Sequence, residues 1–199
     1  MATLIDYNAI TGVVREMTEA AKDANSAVSQ IFFKLNEMKN DGTWKGKYYD
    51  ALINVCNLSI PIFNDLFSLV VTEIPGELSR IGHNYSDFEG ISQPIQTETP
   101  TVITEATISN SELLVIDPAR VVETKDYINQ LFTRVTSDIT KIDQVFNTKL
   151  LWEGPKKEEF KTELANAKTN LIKAVEEMQT AFVSNMTTAI DEFNRHENA

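Results

Sequence analysis

Apolar residues recur at steps of three and four over four long stretches of this chain, and the gaps between them carry glycine, proline or threonine. The first stretch reads Ile10, Val13/Val14, Met17, Ala20/Ala21, Ala24, Val28, Ile31, Leu35 and Met38, one stripe of a helix. Asn40-Asp41-Gly42 closes it, with Gly42 suited to the left-handed position past a helix terminus. The second reads Tyr48/Tyr49, Leu52, Val55/Cys56, Ile62/Phe63, Leu66/Phe67, Val70, Ile74, Leu78, Ile81 and Tyr85. Its stripe is wider, which predicts a helix covered on two sides. Pro61 and Pro75 fall inside it. Each removes a hydrogen bond and crowds the preceding turn, costing about 3 kcal/mol. Kinks are expected at both, and an end to regular helix near Pro75-Gly76 stays open.

Residues 90–117 break the pattern, with two prolines (Pro94, Pro100), many threonines, the apolar run Leu113–Ile116 and no helical period. They read as an extended linker with short β pairing around Val102-Ile103 and Leu114–Ile116. Asp117-Pro118 is a helix start, aspartate capping and proline in the first turn. The third stripe follows through Val121/Val122, Ile128, Leu131/Phe132, Val135, Ile139, Ile142, Val145/Phe146 and Leu150. Pro155 opens a fourth, from Phe160 and Leu164 to Ala189/Ile190 and Phe193. The fold class that results is all-α: two antiparallel helix-turn-helix hairpins, residues 1–89 and 118–199, forming a four-helix bundle.

Each hairpin turns on the same three letters. Trp44-Lys45-Gly46 and Trp152-Glu153-Gly154 are 108 positions apart, and these are the chain's two tryptophans. At that offset Leu52 maps to Phe160, Ile31 to Ile139, Met38 to Phe146, Tyr85 to Phe193 and Glu89 to Glu197 without a gap. A tight reversal between helices needs a residue without Cβ, and a large aromatic beside it can plug the groove end.

Charge and composition then narrow the function. With 42% apolar and 24% charged residues, 7 glycines and 6 prolines, the 199-residue chain reads as an ordinary globular protein of long regular elements. A formal charge of −11 excludes sequence-independent nucleic-acid binding and docking on anionic membranes. One cysteine, Cys56, excludes an internal disulfide, and its neighbours Val55 and Leu58 suggest a buried thiol rather than a nucleophile. Met1–Ile10 lacks the basic and apolar regions of a secretory leader, and no run reaches the ~18 to 20 apolar residues of a membrane span. The expectation is a soluble protein made in the cytoplasm which, if it leaves the cell, does so without a cleaved signal peptide.

Two units of helix, Trp-x-Gly turn and helix, acidic and leaderless, resemble the WXG family of type VII (ESX) secretion systems. Trp152-Glu153-Gly154 with Phe160 resembles the family pattern closely, and Trp44-Lys45-Gly46 with Leu52 somewhat less. The family also carries a tail signal, Tyr-x-x-x-Asp/Glu, which Tyr85-Ser86-Asp87-Phe88-Glu89 matches 41 residues after Trp44. The second repeat has Phe193 where the tyrosine would stand, so the resemblance implies at most one export signal, Tyr85 and Glu89, in the first half. The prolines of the second helix depart from the pattern.

The resemblance further implies hairpins that pair antiparallel with their turns at opposite ends. A helix of roughly 35 residues spans about 52 Å. The linker of residues 90–117 reaches about 90 Å when extended, enough to travel that length. A monomer that imitates the family's dimer within one chain follows, as does a non-catalytic role as exported substrate or as partner of a secreted effector. Its partners would be the secretion ATPase, a toxin or another WXG-like protein. The alternative is a cytosolic adaptor whose wide apolar face at residues 48–85 receives a partner helix. An enzyme is not expected. Neither His83 nor His196 follows a glutamate by three as carboxylate-bridged metal sites require, and no phosphate loop, nucleophile elbow or Cys/His cluster is present. No metal or cofactor is implied, and Glu192/His196 reads as a surface ion pair.

Overall fold

Helical spacing becomes helix in all four stretches. The computed structural model describes residues 7–89 and 95–197, with side chains over 9–81 and 95–197. The chain is mostly helical: α1 (Tyr7–Asn40), β1 (Trp44–Lys45), α2 (Lys47–Ser68), a π turn (Leu69–Glu73), α3 (Ile74–Glu89), β2 (Val115–Ile116), α4 (Pro118–Lys149) and α5 (Pro155–Glu197). The stripes are the buried faces. Ile31 and Ile139, Met38 and Phe146, and Leu52 and Phe160 are buried pairwise, so positions equivalent by the repeat do the same packing work.

By contact the chain forms two compact units, each assembled from three stretches. One comprises Met1–Asn25, Ile62–Val102 and Ser137–Leu171, the other Ser26–Pro61, Ile103–Thr136 and Ile172–Ala199. The first closes over Met17, Phe63, Phe67, Ile142, Phe146 and Trp152; the second over Phe32, Trp44, Tyr49, Phe132, Met178 and Phe182. At about 25 cal/mol per Å² of apolar surface removed from water, large side chains of this kind dominate the stabilisation of each unit.

Regular α-helix is interrupted just before Pro75, the point the sequence left open, but the helical path continues. Pro61 stays inside α2, and helix does not end at Pro75. Between them the backbone widens to the π turn, closed by the Ile74 N–H on the Leu69 carbonyl. Pro75 has no N–H to give to Val71, four residues earlier. The linker supplies it: the Glu98 N–H donates to the Val71 carbonyl at 2.9 Å, and Thr72 Oγ1 donates to the Glu98 carbonyl at 2.7 Å. A defect in the helix thus becomes the docking point of the linker.

The short β pairing also corrects the expectation. Val102-Ile103 forms no strand, and Val115-Ile116 pairs with the Trp44 turn, Trp44 opposite Ile116 and Lys45 opposite Val115, antiparallel. The stretch Lys47–Ile81 meets the length and hydropathy of a membrane-spanning helix, with mean hydropathy 1.5 and half of its most apolar window buried in the protein. The core role of Leu52, Phe63, Phe67 and Val70 accounts for that apolar character.

Candidate functional site at the first Trp-x-Gly turn

The first turn is built residue by residue. Asp41 N–H still reaches the Glu37 carbonyl at 2.9 Å, and Gly42, at φ +81°, turns the chain out of α1. Asp41 Oδ1 accepts the Thr43 N–H at 2.9 Å, and the Thr43 carbonyl accepts the Asp117 N–H at 2.8 Å, tying the turn to the start of α4. Two residues of β pairing follow. Gly46, at φ +104°, then starts α2, its N–H on Ser109 Oγ at 2.9 Å and its carbonyl accepting the Asp50 N–H at 3.0 Å.

Trp44 lies at the bottom of this turn, fully buried. Its ring meets Tyr49 edge-on at 5.8 Å between centroids and Phe182 of α5 at 6.2 Å. Among the described residues, no acceptor lies within hydrogen-bonding distance of its Nε1. Tyr49 donates its hydroxyl proton to the Leu35 carbonyl at 3.0 Å, and burial pushes its phenol well above the ordinary range. Trp44 is a core side chain of the turn, and what the turn offers to solvent is Asp41 and Lys47.

Those charges are paired. Arg120 reaches Asp41 at 2.7 Å, while Glu192 of α5 accepts from Tyr48 at 2.6 Å and from Lys47 at 3.1 Å. Hydrogen bonding from Thr43, with Arg120 beside it, holds the Asp41 carboxyl below the usual carboxylate range. Tyr48 first and Lys47 second do the same for Glu192. A folded value below the unfolded one contributes stability above the unfolded pKa of about 4, and this is lost as pH falls through the folded value. Asp41→Asn is therefore expected to lower the urea midpoint near neutral pH, with the deficit shrinking as pH falls from about 4 through the folded value of the carboxyl. A deficit that stays constant from neutral pH into the acid range would show that charge is not what Asp41 contributes.

The second turn is looser. Gly154 takes φ +145° with open space around its α-carbon, and its carbonyl accepts the Lys157 N–H at 3.1 Å. Trp152 is buried against Phe160 at 6.1 Å, and Lys156 Nζ sits 5.1 Å from the Phe160 ring. The two copies of the motif thus share the plug and the glycine but not the crowding.

Of the other expected residues, Tyr85 and Glu89 fall on the α3 backbone, their side chains outside the described residues. Phe193 is half-buried and Glu197 exposed. Glu192 pairs with Lys47 and Tyr48 across the chain. Cys56 is buried, but not by Leu58, whose side chain is 77% exposed. Burial pushes the Cys56 thiol up to about 12. Ellman's reagent is expected to leave it untouched in native protein and to titrate one thiol in denaturant; ready native labelling would contradict its burial.

Sequence reasoning missed the polar side chains that hold the linker: Asn25, Asn36, Asp50 and Asn57. Asparagine is a poor helix former, so its placement on or beside an apolar stripe was the available signal. No family model matches this chain, and neither a curated protein nor a solved structure matches it.

Proposed function

We propose that this chain is a non-catalytic helical protein of a type VII (ESX) secretion system, exported itself or escorting a secreted effector, with two WXG-like hairpins fused in tandem. The observation that carries the reading is the doubled turn: both tryptophans are buried plugs, and both glycines take positive φ. Each hairpin is thus built on the same device, as the family resemblance requires.

The arrangement we propose is a four-helix bundle of antiparallel hairpins, the family's dimer within one chain. Contacts inside each unit support it. In one unit the first turn lies beside the start of α4, through Thr43 and Asp117, and beside the far part of α5, through Phe182 and Glu192. In the other, Lys149 at the end of α4 bonds Glu16, early in α1, at 2.8 Å. Both sets of contacts fit hairpins whose turns point in opposite directions. The adaptor reading has less support, because the apolar face that would receive a partner helix is covered: Tyr49, Leu52, Ile53, Phe63 and Phe67 are buried.

Export from a host with an active type VII system is the test. Tyr85→Ala and Glu89→Ala are each expected to abolish appearance in the medium while cytosolic levels stay constant. Trp44→Ala is the poorer probe, since removing a buried plug destabilises the carrier of any signal. Undiminished export of both tail variants would defeat the assignment of Tyr85 and Glu89 as the signal.

A further inference from the structure

We propose that the face of α1 and α2 holding residues 103–109 is a binding groove for an extended peptide, occupied here by the chain's own linker. The evidence is the way that segment is held. Asn57 of α2 pairs with one residue's backbone at both ends, its Nδ2 donating to the Ala106 carbonyl at 2.9 Å and its Oδ1 accepting the Ala106 N–H at 3.1 Å. Asn36 of α1 accepts the Thr107 N–H at 3.0 Å, and Asp50 accepts the Ser109 N–H at 2.5 Å. The Tyr49 hydroxyl lies 3.4 Å from the Thr107 carbonyl. Four side chains from two helices thus address backbone groups of three residues, as a neighbouring strand would address them.

Side-chain selection falls on four positions: the Thr107 hydroxyl donates to Asn36 Oδ1 at 3.2 Å, Ser109 Oγ accepts the Gly46 N–H at 2.9 Å, and two apolar side chains are covered. Ile103 and Ala106 are buried, while Thr104, Glu105, Thr107 and Ile108 are exposed. The spacing of three is the period of an extended polyproline-like chain rather than of a β-strand. The ligand this groove fits is therefore an extended peptide with an aliphatic residue followed, three positions on, by a small one. Main-chain bonds supply affinity, and these few side-chain positions supply the selection.

The linker occupies the groove as a competitor in cis. Tethered at both ends, it holds an effective concentration of order millimolar. An external peptide then binds only when the linker is displaced, which makes the linker a built-in gate on the groove. This inference stands apart from the export reading and does not rest on it.

The test uses the full chain and a fluorescein-labelled peptide with the sequence of residues 100–111. Ile103→Asp in the protein weakens the linker's hold and leaves every groove residue intact. Fluorescence anisotropy is expected to show this variant binding the peptide at least about tenfold tighter than the wild-type chain, where the cis segment competes. Asn57→Ala added to Ile103→Asp is expected to return binding to the wild-type level, and a peptide carrying Asp in place of Ile103 is expected not to bind. No gain over wild type in a variant of native helical ellipticity would overturn the proposal, as would binding indifferent to Asn57. Ile103→Ala is the milder release. Loss of helical signal in both variants would show that the linker is integral to the fold rather than a displaceable ligand, and would overturn the proposal equally.

Discussion

Trp44→Ala is expected to lower the stability of the protein by about 4 kcal/mol, within the range for truncating a buried tryptophan. The indole is fully buried, and removing it leaves a void facing Tyr49 and Phe182 from two other helices. Those rings are themselves fixed, Tyr49 through its bond to the Leu35 carbonyl, so the site collapses poorly and the upper half of that range applies. Trp44→Phe is expected to cost only about 1 to 2 kcal/mol, because it refills most of the space and deletes an N–H that has no acceptor among the described residues. Urea titration followed by far-UV ellipticity reads both. A midpoint for Trp44→Ala no lower than that of Leu151→Ala, a truncation at an exposed position, would contradict the plug.

Gly46→Ala is expected to be the second most damaging change, costing about 3 to 4 kcal/mol, against about 1 to 2 for Gly154→Ala. Both glycines take φ values that L side chains rarely adopt, so both substitutions strain the backbone. The difference lies in the surroundings. A Cβ on Gly46 would stand 2.8 Å from the Leu113 carbonyl oxygen and 3.2 Å from Leu114 Cα. These are backbone atoms and cannot rotate away. Relieving the clash moves the segment that leads into β2, and with it the pairing of Val115-Ile116 on Trp44-Lys45. A Cβ on Gly154 meets nothing within 4 Å. Equal destabilisation of the two variants would show that conformational strain alone governs both turns.

These two expectations also mark what was legible in the sequence. Helix location was, because the stripes at steps of three and four are largely buried, and because the helix ends fall at the local punctuation of Gly42, Asp117-Pro118 and Pro155. The doubled Trp-x-Gly was visible as a repeat, but its asymmetry was not. Whether a glycine is crowded depends on Leu113, 67 positions away, and no local pattern carries that information. The same holds for the linker. Its composition announces the absence of helix, yet its path is fixed by Asn25, Asn36 and Asn57, whose partners only the fold supplies. At Pro75 the sequence left the end of regular helix open for a sound local reason, the missing N–H; the α-helix gives way to a π turn there, and Glu98 supplies the donor for the Val71 carbonyl. The β pairing went astray in the same way: the run at Leu114–Ile116 was right as a strand, and its partner proved to be the Trp44 turn itself.

The burial of Trp44 bears on how an export signal would work in such a protein. A side chain with no accessible surface is not read by a receptor while the fold is intact. We propose that the tryptophan holds the first hairpin in shape, while recognition falls to Tyr85 and Glu89 of α3.

The most direct measurement is export of the wild-type chain from two isogenic hosts, one with a working type VII secretion ATPase and one lacking it, with a cytosolic marker to exclude lysis. The account requires the protein in the medium of the first host and its retention in the cells of the second. Equal amounts in both media, or retention in both, would contradict it.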